Sequence, residues 1–180
     1  ANHKPGRDLH TLKEITTDRP FRKIPFELER SSIALFLGEF LYRLSQVQEK
    51  DADYFDAVFE MIALLDSTED PTDLHLHFLS RFTLPNGIYP EVPDREDMEY
   101  FDMLHVEFIP QPPSHDHFMD KERTKVFIRL LKEDPSKDRR LVKNRELRNG
   151  LLKDLLDFYR IHLGEFGKIN SLNVFHEVFQ

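Results

Sequence analysis

Two short histidine pairs and a run of arginines are the residues of this 180-residue chain whose types and spacing invite chemistry. His75-Leu-His77 and His115-Asp-His117 have the look of metal pairs. Positions i and i+2 of a regular helix point about 200° apart, so His75 and His77 cannot share an ion there. The pair in "SHDH" has Asp116 beside it, but no third and fourth ligand stand at a recognisable spacing. A hydrogen-bonding or solvent-facing role is expected for these histidines, and no metal. Acidic stretches such as "DREDMEY" read as solvated surface, because no carboxylate pair sits in an apolar setting suited to acid–base work. The chain has no GxSxG, no HExxH, no glycine-rich phosphate loop and no cysteine, so the motifs for nucleophilic, zinc-protease and nucleotide chemistry are missing. No catalytic group and no cofactor are expected. The nine histidines and many carboxylates keep one rival in view, an all-helical metal-dependent phosphohydrolase.

The arginines are more informative. Counting back from Leu163 through Tyr159, Leu155 and Leu152, the inward stripe of a long helix continues at Arg148 and Arg145 before it returns to Leu141. An unpaired guanidinium inside a core is very costly, so the helix either projects past the core there or lines a partly open pocket. With Lys137, Arg139, Arg140 and Lys143, the two arginines would form an electropositive ledge. Guanidinium forks suit two-point contacts with carboxylates and phosphates, so the ledge fits nucleic acid or an acidic peptide terminus. The alternative is that "RNG" at 148–150 breaks the helix and leaves ordinary surface arginines. Charge is also divided along the chain. From Asp51 to Glu107 fifteen acidic and two basic residues give −13, whereas from Lys121 to Lys153 twelve basic and five acidic give +7. If both segments are exposed, the first repels nucleic acid and the second attracts phosphates or an acidic peptide. Otherwise the two segments face each other and neutralise.

Positioning these residues takes a folded body, and the composition supplies one. Hydrophobic residues make up 39% of the chain and aromatic residues 12%, with sixteen Phe, too apolar for disorder and of a length suited to one domain. No apolar run approaches the roughly 20 residues of a membrane span, and no signal-peptide pattern opens the chain, which reads as soluble and unexported. The lack of cysteine excludes disulfides and thiolate metal sites and fits a reducing compartment. Ala1 in place of Met suggests a processed or truncated chain.

From Pro25, the spacing of Ile33, Phe36, Leu37, Phe40, Leu41 and Leu44 predicts a helix with a wide apolar face. A second helix is expected from Asp53 to Asp66, and a third after "DPT" up to the stop at 85–87. In "YFDMLHVEFIP", Leu104, Val106 and Phe108 alternate with Met103, His105 and Glu107, the period of one short strand; "QPPSHDHF" reads as loop. A fourth helix is expected from Asp120 to about Glu133, with Val126, Phe127, Leu130 and Leu131 inward. The fifth begins somewhere after Pro135 and ends at Gly164. Asn170 and Ser171 are N-cap candidates for a short last helix, whose Leu172, Phe175, Val178 and Phe179 share one face. An apolar stripe has value only against something it covers, so this last helix must dock. The expected fold is mainly α: a single helical bundle of about six helices with at most a short β-strand pair, residues 1–24 forming a linker and residues 25–180 the helical domain.

The stretches "PFRKIPFELERSSIALFLGEFLYRL", "YFDMLHVEF" and "LLDFYRIHLGEFGKINSLNVFHEVF" resemble the RecO family of recombination mediators, in the form found in the Bacteroides group of bacteria. The resemblance runs from Leu9 to Gln180. The family's closing motif is matched at Tyr159, Arg160, His162, Leu163, Phe166, Gly167, Ser171, Leu172 and Val174, with Gly164 where the family often has a proline. The resemblance implies an N-terminal OB-fold barrel whose last strand is similar to "DLHTLKEI", followed by the helical domain. The four-cysteine zinc module of many relatives cannot exist in a chain without cysteine. It further implies a non-enzymatic bacterial protein, cytoplasmic and nucleoid-associated, that anneals strands and works with RecR to replace single-strand-binding protein by the RecA recombinase. In that family the helical domain is a docking platform for the acidic, aromatic tail of single-strand-binding protein, and single-stranded DNA is a ligand of the full-length protein. The ledge would then meet the tail. A generic helical adaptor remains the other non-enzymatic alternative.

Overall fold

The computed structural model describes residue 16 and residues 20–46, 52–95, 97–137, 140–164 and 167–179. The expected remnant strand at residues 8–15 lies outside the described residues, as do Arg139 and Phe166. Six helices and one small sheet make up the described fold, which is mainly α.

Helix α1 (Leu28–Leu44) buries Ile33, Phe36, Leu37, Phe40 and Leu44 on one face, as the spacing predicts. Arg30 extends that stripe by one turn and is buried too. Its guanidinium donates to the carbonyls of Leu65 at 2.6 Å and Thr68 at 2.8 Å, at the end of α2 (Ala52–Ser67). The last carbonyls of a helix have no following turn to donate to them, and the negative end of the helix dipole favours a cation. Asp66 fixes the same end from the other side by accepting the N–H groups of Arg22, Lys23 and Ile24. Burial would raise the Asp66 carboxyl, but these bonds hold it below its ordinary value.

After α3 (Leu74–Arg81) and a turn at Gly87, the chain enters an antiparallel sheet of order β2-β1-β3. Its strands are β1 (Tyr100–Asp102), β2 (Glu107–Ile109) and β3 (Phe118–Met119). The alternation across 103–108 is therefore not one strand. Residues 103–106 turn a hairpin whose last pair is Asp102 with Glu107. Asp102 accepts the N–H groups of Leu104 and His105, a side-chain-made turn that competes with the extended ladder. The sheet is also one strand larger than the expected pair, because Phe118–Met119 pairs with β1. Phe101 on the central strand packs against Phe108, Phe127 and Phe158, which joins the sheet to α4 (Lys121–Lys132) and α5 (Arg145–Leu163).

Helix α5 starts after Pro135, as expected, at Arg145, where the Asn144 side chain accepts from Leu147 N at 2.8 Å; Leu141, counted on its stripe, lies before it. The helix then continues through Gly150 to Leu163, so "RNG" makes no break. Gly164, at φ +89°, ends it, in backbone space that a side chain would strain.

Helix α6 (Ser171–Val178) docks on α1 and α3. The buried Phe175 ring stands 5.4 Å from Phe36, 4.6 Å from His75 and 4.5 Å from Phe179 between ring centres. Asn170 is the N-cap residue, but its side chain makes no cap bond. Glu39 of α1 supplies the cap instead, accepting the N–H groups of Asn170 at 3.0 Å and Ser171 at 2.8 Å.

Candidate docking groove and its cationic border

A groove of about 780 Å³ lies between α2 and α3, with the chain that follows α4 at one end. Met61 and Leu64 of α2 face Phe78 of α3 and Phe82, its C-cap residue, across it, and Leu84 and Pro135 also line it. The helical period explains this wall, since Phe78 and Phe82 are four residues apart and stack at 4.6 Å. Leu84 is exposed at 64%, so part of this apolar surface meets water.

Arg81 enters the groove from the last turn of α3. Its Nη2 donates to the carbonyl of Glu133 at 2.7 Å, and its Nε is buried without a partner among the described residues. Glu60 and Asp134 are the carboxylates on the lining.

Pro135 lines both this groove and a small neighbouring cleft with Lys137, Arg140, Asp70, Asp73 and His77. Of the predicted ledge, Lys137 and Arg140 line that cleft, and its described members differ in what they do. Lys137, Lys143 and Arg145 are exposed. Arg140 is exposed but committed to Asp70 at 3.2 Å and to the Thr72 hydroxyl at 2.9 Å. Arg148 is buried, its Nε 3.4 Å from Asp73 Oδ1. Arg139 is outside the described residues. Arg145 starts α5 rather than standing on its inward stripe, so the two arginines do not act as a pair.

Sequence reasoning missed Asp73. Its Oδ2 accepts Leu141 N at 2.7 Å and Val142 N at 2.9 Å, while Oδ1 faces Arg148. One buried carboxylate therefore holds Leu141 and Val142 in the connection that leads into α5. An Asp just before an apolar helix was visible as a cap candidate, but its partners lie about seventy residues away, at |i−j| of 68 to 75. The acidic and basic segments do meet, through Arg140–Asp70, Arg148–Asp73 and Lys121–Glu99.

The histidines separate into two groups. His75 and His77 are buried on α3, and burial, with Arg81 nearby, pushes the His77 imidazole down. His115 lies beside Asp102 and His105, the one group among the described residues with ligand atoms close enough to hold a metal ion. No helix of the described residues is long and apolar enough to cross a membrane.

The fold and groove define a mainly helical module with an apolar slot and a cationic border. The family model described as Recombination protein O C terminal matches residues 25–95. A DNA repair protein RecO of Phocaeicola vulgatus is 33% identical over 180 residues, covering 99% of this chain and 75% of the relative. The protein of the same name from Bacteroides fragilis is 31% identical over 181 residues, with 99% and 75% covered. That of Flavobacterium johnsoniae is 33% identical over 181 residues, with 99% and 74% covered. The chain belongs to the RecO family. No solved structure matches it.

Proposed function

We propose that this chain serves DNA repair and recombination as the helical part of a RecO-type mediator, binding partners rather than catalysing a reaction. Its groove and cationic border would dock the acidic, aromatic C-terminal tail of single-strand-binding protein. RecR would be a second protein partner, and single-stranded DNA a ligand of the longer RecO protein. The observation that carries the reading is the junction at Pro135, where an aromatic-walled groove meets a cleft lined by Lys137 and Arg140, with Lys143 and Arg145 exposed a few residues further along the chain. An aromatic side chain needs an apolar slot, and neighbouring carboxylates need exposed cations a few residues along. Arg81, which lines the groove and whose Nε has no partner among the described residues, would be the donor for a terminal carboxylate.

Fluorescence anisotropy with a labelled acidic peptide ending in Phe tests this. Lys137→Glu combined with Arg145→Glu should weaken binding by about tenfold or more, with the thermal midpoint nearly unchanged because both side chains are exposed. Arg148 is unsuitable for such a test, since reversing a buried partner of Asp73 would damage the fold. Unaltered affinity in the double variant would overturn the assignment of this border.

A further inference from the structure

The docking reading leaves unused the cluster at the hairpin of the small sheet. Asp102 ends β1 with 4% of its surface exposed. Its Oδ1 accepts the N–H groups of Leu104 at 2.9 Å and His105 at 3.2 Å, which fixes the carboxylate and turns Oδ2 outward. Oδ2 then lies 2.9 Å from His105 Nδ1 and 3.2 Å from His115 Nε2. The three donor atoms all fall within 4.8 Å of one another.

Zinc bonds to nitrogen and oxygen are about 2.0–2.1 Å long, which sets neighbouring donors of a tetrahedron roughly 3.3 to 3.4 Å apart. Small ring movements bring this cluster to that spacing. The exposed His117 ring is centred 6.3 Å from that of His115, outside the cluster but near enough to reach it by a side-chain rotation. Its carbonyl accepts Met103 N at 3.1 Å, so its backbone is tied to the same hairpin turn. The two N–H bonds to Oδ1 are the kind of outer support that orients a ligating carboxylate.

We propose that Asp102, His105 and His115 form a binding site for one zinc ion or a similar divalent transition ion, with His117 or water completing the coordination. Two imidazoles and one carboxylate suit such ions, whereas calcium and magnesium require oxygen donors. The ion would join the β1–β2 turn to the segment that leads into β3. Its role would be structural, clamping the three-stranded sheet.

The test is calorimetric titration of the purified chain with Zn²⁺, run beside Co²⁺ titration followed by visible absorption. One equivalent should bind with roughly micromolar or tighter affinity, and Co²⁺ should give tetrahedral bands. Replacing a single outer-layer partner typically costs 10- to 100-fold in metal affinity, so His105→Ala and His115→Ala, which remove direct ligands, should each cost about 100-fold or more. His117→Ala should cost less. Excess zinc should raise the thermal midpoint of the unaltered chain but not that of H105A. The His105 side chain is 65% exposed, so that variant keeps its fold. Absence of one-equivalent binding would overturn the proposal. So would undiminished binding by H105A/H115A, which would put the ion on other histidines of the nine in the chain.

Discussion

Glu39 and Asp73 do similar local work at two junctions, each accepting a pair of successive backbone N–H groups from a distant part of the chain. Their surroundings differ. Asp73 is 6% exposed and faces the buried Arg148. Glu39 has Arg43 at 3.5 Å, itself partly in solvent, and the segment it holds is also fixed by the buried Phe175. One junction thus depends on a buried charge constellation. The other has a carboxylate laid over an apolar anchor.

Removing the carboxylate should show the contrast at its largest. Asp73→Ala leaves two N–H groups and a buried guanidinium without a partner, and is expected to cost about 4 kcal/mol in urea denaturation. Asp73→Ala/Arg148→Met should recover part of that loss, because the stranded charge is gone. If D73A costs no more than Glu39→Ala, the contrast fails.

The next effect belongs to the apolar anchor. Phe175→Ala empties a space between Phe36, His75 and Phe179 and should cost about 3 kcal/mol, read in the same denaturation series. A loss below that of the Glu39 variants would mean that the cap, rather than the ring, holds α6.

The smallest change should be Glu39→Gln, about 1 kcal/mol at neutral pH. Burial alone would raise the Glu39 carboxyl. Hydrogen bonds from Asn170 and Ser171, helped by Arg43, outweigh it and bring the value down from the ordinary 4.5 to about 2. A carboxyl depressed in the folded state adds stability that is present above its unfolded value and lost as the pH falls through the folded one. The difference between wild type and E39Q should therefore shrink between pH 4.5 and 2. A constant difference across that window would remove the charge from the explanation.

Local period was enough for the helical faces. Ile33 to Leu44, Val126 to Leu131 and the stripe up to Leu163 were legible because each repeats within one element. The hairpin was not, since Leu104, Val106 and Phe108 keep a strand's alternation while Asp102 bends the backbone beneath them. Leu141 was counted on the α5 stripe for a related reason: nothing local distinguishes Leu141 and Val142, held ahead of the helix by Asp73, from residues of the helix itself. Arg148 could be singled out from its place in an apolar stripe, but its partner could not. The groove's Arg81 carried only a weak mark, a basic residue at the end of an aromatic helix.

The tie between Glu39 and Asn170 spans 131 residues. At about 5–20 residues per second, a ribosome needs roughly 7 to 26 seconds to make the intervening chain. Throughout that time the side of Phe36 that Phe175 later covers stays open, so a chaperone that shields such surfaces during translation would find its substrate there.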